Sequence, residues 1–152
     1  MKNEHLLDEL DYAILRELRT DCRRSFRELA KVLKLSPASL IERMKKLKKH
    51  GIIKKYSADL DFVRMGYEFN AFIHVRITKG AQLEVQKKIA SLPSVAAVYD
   101  VTGEYDSLVY ALCKSRSELS VLIKRINNIE EVQRTNTTLS LNVIKEVHEF
   151  SF

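Results

Sequence analysis

The spacing of apolar residues shifts near residue 70 from helical steps alone to steps that include runs of strict alternation, and that shift decides what the chain can fold into. Up to about residue 50 the apolar positions recur every three or four residues, whereas from Ala71 onward they alternate by two in several short runs. The first period belongs to helices with one buried stripe, the second to strands with one buried face. At 152 residues there is length for two small units in series.

In the first part, Leu7, Leu10, Ile14 and Leu18 predict a helix over about residues 6–21, with Asp8, Glu9 and Asp11 in its first turns, where acids suit the macrodipole. Phe26, Leu29, Ala30 and Leu33 mark a second, shorter helix. Ser36-Pro37 then opens a third, since a serine cap accepts an orphan backbone N–H and proline is pre-set for the first helical position. Leu40, Met44 and Leu47 form its inward stripe, and Gly51 ends it. Around its other side lie Ala38, Ser39, Glu42, Lys45, Lys46 and Lys49, with Arg43 at the edge. Two helices joined tightly, the second beginning with small polar residues, have the layout of a DNA-reading helix-turn-helix. Ala38 and Ser39 allow close approach to base edges, the lysines neutralise phosphates, and Ser36, Glu42 and Arg43 complete the candidate DNA-binding set. Glu42 can accept a bond from a cytosine amine or simply repel phosphate. A helical hairpin with a solvated lysine face is the plainer alternative.

Charge favours the nucleic acid. Residues 1–60 hold 15 Lys and Arg against 9 Asp and Glu, while residues 61–152 hold 11 of each, so the whole formal charge of +6 lies in the first part. That asymmetry points to an anionic partner at one end and a different task at the other.

Residues 52–60 read as a short strand, either the wing of a winged helix-turn-helix or a strand leading away, and Asp61 to Tyr67 reads as a linker. Beyond it the pattern gives a strand around Ala71 to Ile77, a helix ending at Pro93, and strands over Val95–Thr102 and Ser107–Cys113. A helix over Ser115–Ile126, opened by a Ser115–Glu118 capping box, and a last strand from about Arg134 to Ile144 complete it. The expected class is α+β. Residues 1–60 form a winged helix-turn-helix, 61–67 a linker, and 68–152 a ferredoxin-like β-α-β-β-α-β domain. Both helices of that domain cover one sheet face, yet the middle strands offer apolar residues to both, so a homodimer at least is expected. Two helix-turn-helix units would then address a pseudo-palindromic site.

No apolar run is long enough to span a bilayer, and the charged N-terminus lacks a signal-peptide core, so no membrane role and a cytoplasmic, nucleoid-associated location are expected. Cys22 and Cys113 lack metal or redox spacing and read as buried or partly buried thiols, and His5, His50, His74 and His148 form no ligand pair, so no metal and no cofactor are expected. Asp100, Glu104 and Asp106 are three carboxylates close together, but no nucleophile, phosphate loop or metal cluster accompanies them, and no catalytic residue is assigned.

The stretches LLDELDYAILRELRTDCRRSFRELAKVLKLSPASLIERMKKLKKHGIIKKYSADLD, VTGEYDSLVYAL and VQRTNTTLSLNVIKE together resemble the Lrp/AsnC, or feast/famine, transcription regulators over about residues 6–147. The resemblance implies a winged helix-turn-helix followed by a ferredoxin-like, ACT-like sensor domain. It also implies dimers assembling to tetramers or octamers, and an amino acid or similar metabolite bound between dimers. By position, it makes Val101, Thr102, Gly103, Tyr105 and Asp106 the effector candidates, joined by Thr135 and Thr137. Asp106 would meet an α-amino group, while backbone N–H groups and threonine hydroxyls would meet a carboxylate. Gly-Glu-Tyr-Asp is equally a good hairpin turn. Ser107 stands where the family commonly has a bulkier residue, which bears on the size of any pocket. An architectural protein that wraps DNA without an effector is the alternative role.

Overall fold

The computed structural model describes residues 7–145, and the chain divides into two compact units between Asp59 and Leu60. His5, His148 and the outer ends of the two expected domains lie outside the described residues.

The first unit is helical: α1 (Glu9–Thr20), α2 (Phe26–Val32) and α3 (Pro37–Lys49). Each start is chemically marked. Asp8 and Asp11 form a reciprocal capping box on α1, Ser25 and Glu28 another on α2, and Ser36 Oγ accepts from Ser39 N–H at 3.1 Å with Pro37 behind it on α3. Such caps satisfy backbone donors that the helix itself leaves free. Helix α3 ends as expected at Gly51, whose φ of +70° lets Ile52 N–H reach back to Leu47 O at 2.9 Å. Ile14, Leu29, Ala30, Leu40, Met44 and Leu47 make the buried core.

Residues 52–60 do not form the expected strand: they run on with no ladder, so no wing is built. A strand needs a partner for its N–H and C=O groups, and among the described residues none pairs with them. Cys22 is also exposed, just past the α1 cap Asp21, and not even partly buried; Cys113 is buried.

The second unit holds β1 (Phe69–Ile77), α4 (Gln82–Ala90), β2 (Val95–Asp100), β3 (Ser107–Cys113), α5 (Arg116–Asn127) and β4 (Val132–Leu139), the β-α-β-β-α-β order expected. The sheet is antiparallel throughout, in the order β2-β3-β1-β4. Ala71, Ile73, Val75 and Ile77 share one face with Val109, Ala111 and Cys113, and pack beneath Val85, Ile89, Leu122 and Ile126 of the two helices. Two ends differ from expectation. Ser115 Oγ does accept from Glu118 N–H, but the Glu118 carboxylate goes to Lys114 N–H and Ser94 Oγ, so the box is only half made. Strand β4 starts earlier, at Val132, and stops at Leu139 because β1 stops: Ser140 N–H bonds Asn70 O, and beyond that β1 has little chain to offer. Leu141 is consequently left 93% exposed. Among the described residues no helix is long and apolar enough to cross a membrane.

Candidate nucleic-acid interface and effector loop

Burial of Leu40, Met44 and Leu47 fixes the rotation of α3, and everything opposite that stripe is exposed: Ala38, Ser39, Glu42, Lys45, Lys46 and Lys49. Ser36 is exposed as well, at the N-terminal end, where the axis presents positive partial charge. Glu42 pairs with Lys45 at 3.1 Å one turn on, which explains an acid on an otherwise basic face and offsets one of its lysines. Lys48 lies over the Tyr56 ring, 5.0 Å from its centroid.

Arg43 is the exception among the DNA-binding candidates. Its Nη1 donates to Asp8 at 2.7 and 2.8 Å and to Asp11 at 2.7 Å, tying α3 to the start of α1. Asp11 is only 1% exposed, so its charge needs this partner. Arg43 is therefore a strut between helices, and any contact it makes with DNA competes with these bonds. The hydrogen bond from its guanidinium is the leading cause of the Asp8 carboxyl lying below the usual carboxylate range; the same bonds, to Asp11 first, raise Arg43.

In the second unit residues 101–106 form a fastened loop. Val101 N–H bonds Asp106 O at 3.2 Å, and Asp106 N–H bonds Val75 O at 3.0 Å. The Asp106 carboxylate accepts from Ile77 N–H at 2.8 Å and lies 3.7 Å from Arg76 Nε. Arg76 Nη1 donates to Glu104 O at 2.6 Å, and Arg134 of β4 pairs with the Glu104 carboxylate while lying over the Tyr105 ring. Tyr105 in turn sits 5.3 Å from His74. Asp106 thus has a structural task that the turn motif did not disclose. Gly103, with φ +120°, has open space where a side chain would begin.

The effector candidates do not all converge in one chain. Thr135 and Thr137 stand opposite Val75 and Ile73, on the helix-covered face, and Thr135 Oγ1 bonds Asn127 of α5 at 2.9 Å. Tyr105 lies with His74 and Arg134 on the other face. The residues that do meet the loop are Arg76, Arg134 and His74. Their signal was available: they occupy the polar positions of the same period-two register whose apolar positions marked the strands. Ser107 is fully buried on the helix side, where Gln86 Nε2 donates to it at 2.8 Å, so its small size serves that bond and does not shape the loop. A concavity of about 460 Å³ beside α5 is lined by Ser94, Glu118, Val121 and Arg125 and by none of the effector candidates. Among the described residues no cluster of three or more His, Cys, Asp or Glu is gathered as a metal site would need.

A basic helix presented by a three-helix unit, followed by a ferredoxin-like domain, defines a two-part DNA-binding regulator. The comparisons with known proteins agree. An AsnC-type helix-turn-helix domain matches residues 7–48, and an Lrp/AsnC ligand binding domain matches residues 70–150. The chain is 36% identical over 143 residues to the HTH-type transcriptional regulator FL11 of Pyrococcus horikoshii, covering 94% of this chain and 95% of that one. Among solved structures, AsnC of Escherichia coli superposes with a TM-score of 0.86 at 31% identity, covering 95% and 99% of the two chains. A Neisseria meningitidis regulator in complex with L-Met gives 0.85 at 29% identity, covering 92% and 93%. The chain belongs to the Lrp/AsnC family of helix-turn-helix transcription regulators, which are DNA-binding proteins and not enzymes.

Proposed function

We propose that this regulator reads a pseudo-palindromic operator through the exposed face of α3 and answers to an amino acid held between copies of its second unit. The observation that carries the first half is the sorting of α3 itself, with its apolar stripe fully buried and Ser36, Ala38, Ser39, Lys46 and Lys49 left outward. Ser39 and Ala38 meet base edges, Glu42 accepts from a base or trims the field, and Lys45, Lys46 and Lys49 meet phosphates. In this reading residues 1–60 form the DNA-binding part, 61–67 the linker, and 68–152 the sensing and assembly part, and the protein works in the cytoplasm with the nucleoid.

For the second half, the sheet face not covered by α4 and α5 carries Phe72 stacked on Tyr110 at 5.1 Å, with Tyr99, Leu108 and Leu112 beside them. A second copy covers such a face, and dimers so formed assemble further to tetramers or octamers. Val101, Thr102, Gly103 and Tyr105 then line the effector site, Gly103 giving room for close approach and backbone N–H groups receiving a carboxylate. Asp106 supports the loop from below, and any part played by Thr135 and Thr137 comes through another copy. The L-Met complex of the Neisseria relative supports an amino acid as the ligand class. Light scattering of the whole protein with each of the twenty amino acids tests this: one of them shifts the molar mass or the affinity for DNA. No shift in either with any of them would leave the alternative, a DNA-wrapping protein without an effector.

A further inference from the structure

The loop at residues 101–106 is held from two sides, and the two holds differ in kind. On the open sheet face Arg76 and Arg134 reach it through Asp106 and Glu104, and both arginines are about half exposed. On the helix face the hold is a single neutral side chain, Gln86 of α4. Its Nε2 donates to Asp100 Oδ1 and to Ser107 Oγ, each at 2.8 Å, with Asp106 O further off at 3.5 Å. Asp100 is the last residue of β2 and Ser107 the first of β3, and the two stand opposite each other in the register. One amide nitrogen thus clasps both ends of the loop, with one N–H for each. Ser107 is fully buried, so its hydroxyl has no water to turn to once Gln86 lets go.

The clasp sits on a well-anchored element. Val85 and Ile89, on either side of Gln86 along α4, are both fully buried in the core of this unit. Their burial fixes the rotation of the helix and aims Gln86 at the two strand ends. Among the described residues no other side chain of α4 or α5 bonds to Asp100 or Ser107. A group borne on a packed helix holds a loop more precisely than another part of the loop can. Between Asp100 and Ser107 the chain is closed by Val101 N–H to Asp106 O, and Asp106 N–H fastens it to Val75 O. Those two backbone bonds keep their lengths only while the strand ends stay together.

Resting on the reading that residues 101–106 receive the effector, we propose that Gln86 is the positioning residue of that loop, holding its two ends together from α4 in the shape a ligand meets. Gln86 touches no ligand itself. It keeps the competent loop populated, and its loss lowers apparent affinity by the fraction of molecules still in that shape.

The test is amide hydrogen exchange of the whole protein without ligand, followed at Val101 and Asp106 in the loop and at Val109 and Ala111 in β3. Gln86→Met keeps the length of the side chain and removes both N–H groups. Exchange at Val101 and Asp106 is expected to quicken about tenfold, the order that two lost bonds represent, while Val109 and Ala111 stay as they were. Gln86→Glu sets a carboxylate against Asp100 and loosens the loop at least as much. Adding Asp100→Asn to it exchanges donor and acceptor, and slow exchange returns. Unchanged loop exchange in Gln86→Met would overturn the proposal. So would exchange that quickens equally in β3, which would make Gln86 a general support of the fold, or a folded double variant that restores nothing. Should the double variant fail to fold, Gln86→Met decides alone. In a second arm, the amino acid among the twenty that shifts the wild type's mass or DNA affinity is needed at about tenfold higher concentration by Gln86→Met, and equal concentrations would overturn the positioning role. A wild type that answers to none of them would end the effector reading, a result the exchange arm keeps apart from failure of the clasp.

Discussion

The two units solve their burial differently, and each leaves a different kind of surface to water. The helical unit buries one apolar stripe of each helix in a common core, and the face that α3 leaves outside is charged, although Phe26 and Val32 of α2 stay half-exposed beside the α2 cations. The sheet unit closes only one face, and what it leaves on the other is aromatic and aliphatic, with Phe72 and Tyr99 exposed. An exposed charged face is stable in water and waits for a polyanion. An exposed apolar face is a liability until something apolar covers it. On the proposed reading, the first unit's partner is DNA and the second's is another copy of this chain.

The largest effect that would break this contrast lies in the strut. Arg43→Ala removes the partner of the buried Asp11 and is expected to lower stability by about 3 kcal/mol, the low end for a broken buried pair because Arg43 keeps some exposure. Urea unfolding checks it. If stability holds while operator preference changes, Arg43 is a reader of bases after all. Next comes Asp106→Ala, which removes the acceptor of Ile77 N–H and should cost about 2 kcal/mol. Thermal melts would register that loss, and an amino-acid response would fall with it because the loop loosens. An unchanged melting temperature would make Asp106 a ligand group only.

The smallest effect is in pH. Asp8 has its carboxyl lowered in the folded state, first by the Arg43 hydrogen bond, so its contribution is present above the unfolded value near pH 4, by a carboxylate's usual range of about 3.9, and is lost as pH falls through the folded value. In the Arg43→Ala variant this part of the acid sensitivity should disappear. Acid unfolding curves of identical shape in the two proteins would contradict it.

Most of the fold was legible because it rests on local signals. Ser25, Ser36 and Ser115 mark their helices, and the stripes of α1 to α5 follow their periods. The structure adds most where the deciding partner is distant. Arg43 sits at the edge of α3 by any helical wheel, and nothing nearby reveals that Asp11, 32 residues earlier, holds it. Residues 52–60 read as a short strand, and Leu139, Leu141 and Val143 continue β4 on paper, but a ladder exists only where another strand runs alongside. Thr135 and Thr137 could be placed near the loop by motif, yet only the β1–β4 register shows which face they take. Cys22 looked partly buried because a helix ends beside it, and the chain turns outward there instead.

The most direct test of the division of labour uses Phe72→Glu, a charge placed in the open sheet face. Light scattering and salt-dependent DNA titration are made on the same sample. The account predicts that the mass falls to that of one chain, 17.6 kDa, while the salt slope per chain stays at the wild-type value. A variant that remains assembled, or one that becomes monomeric and loses its phosphate contacts with it, would contradict the claim that one unit binds DNA and the other assembles the protein.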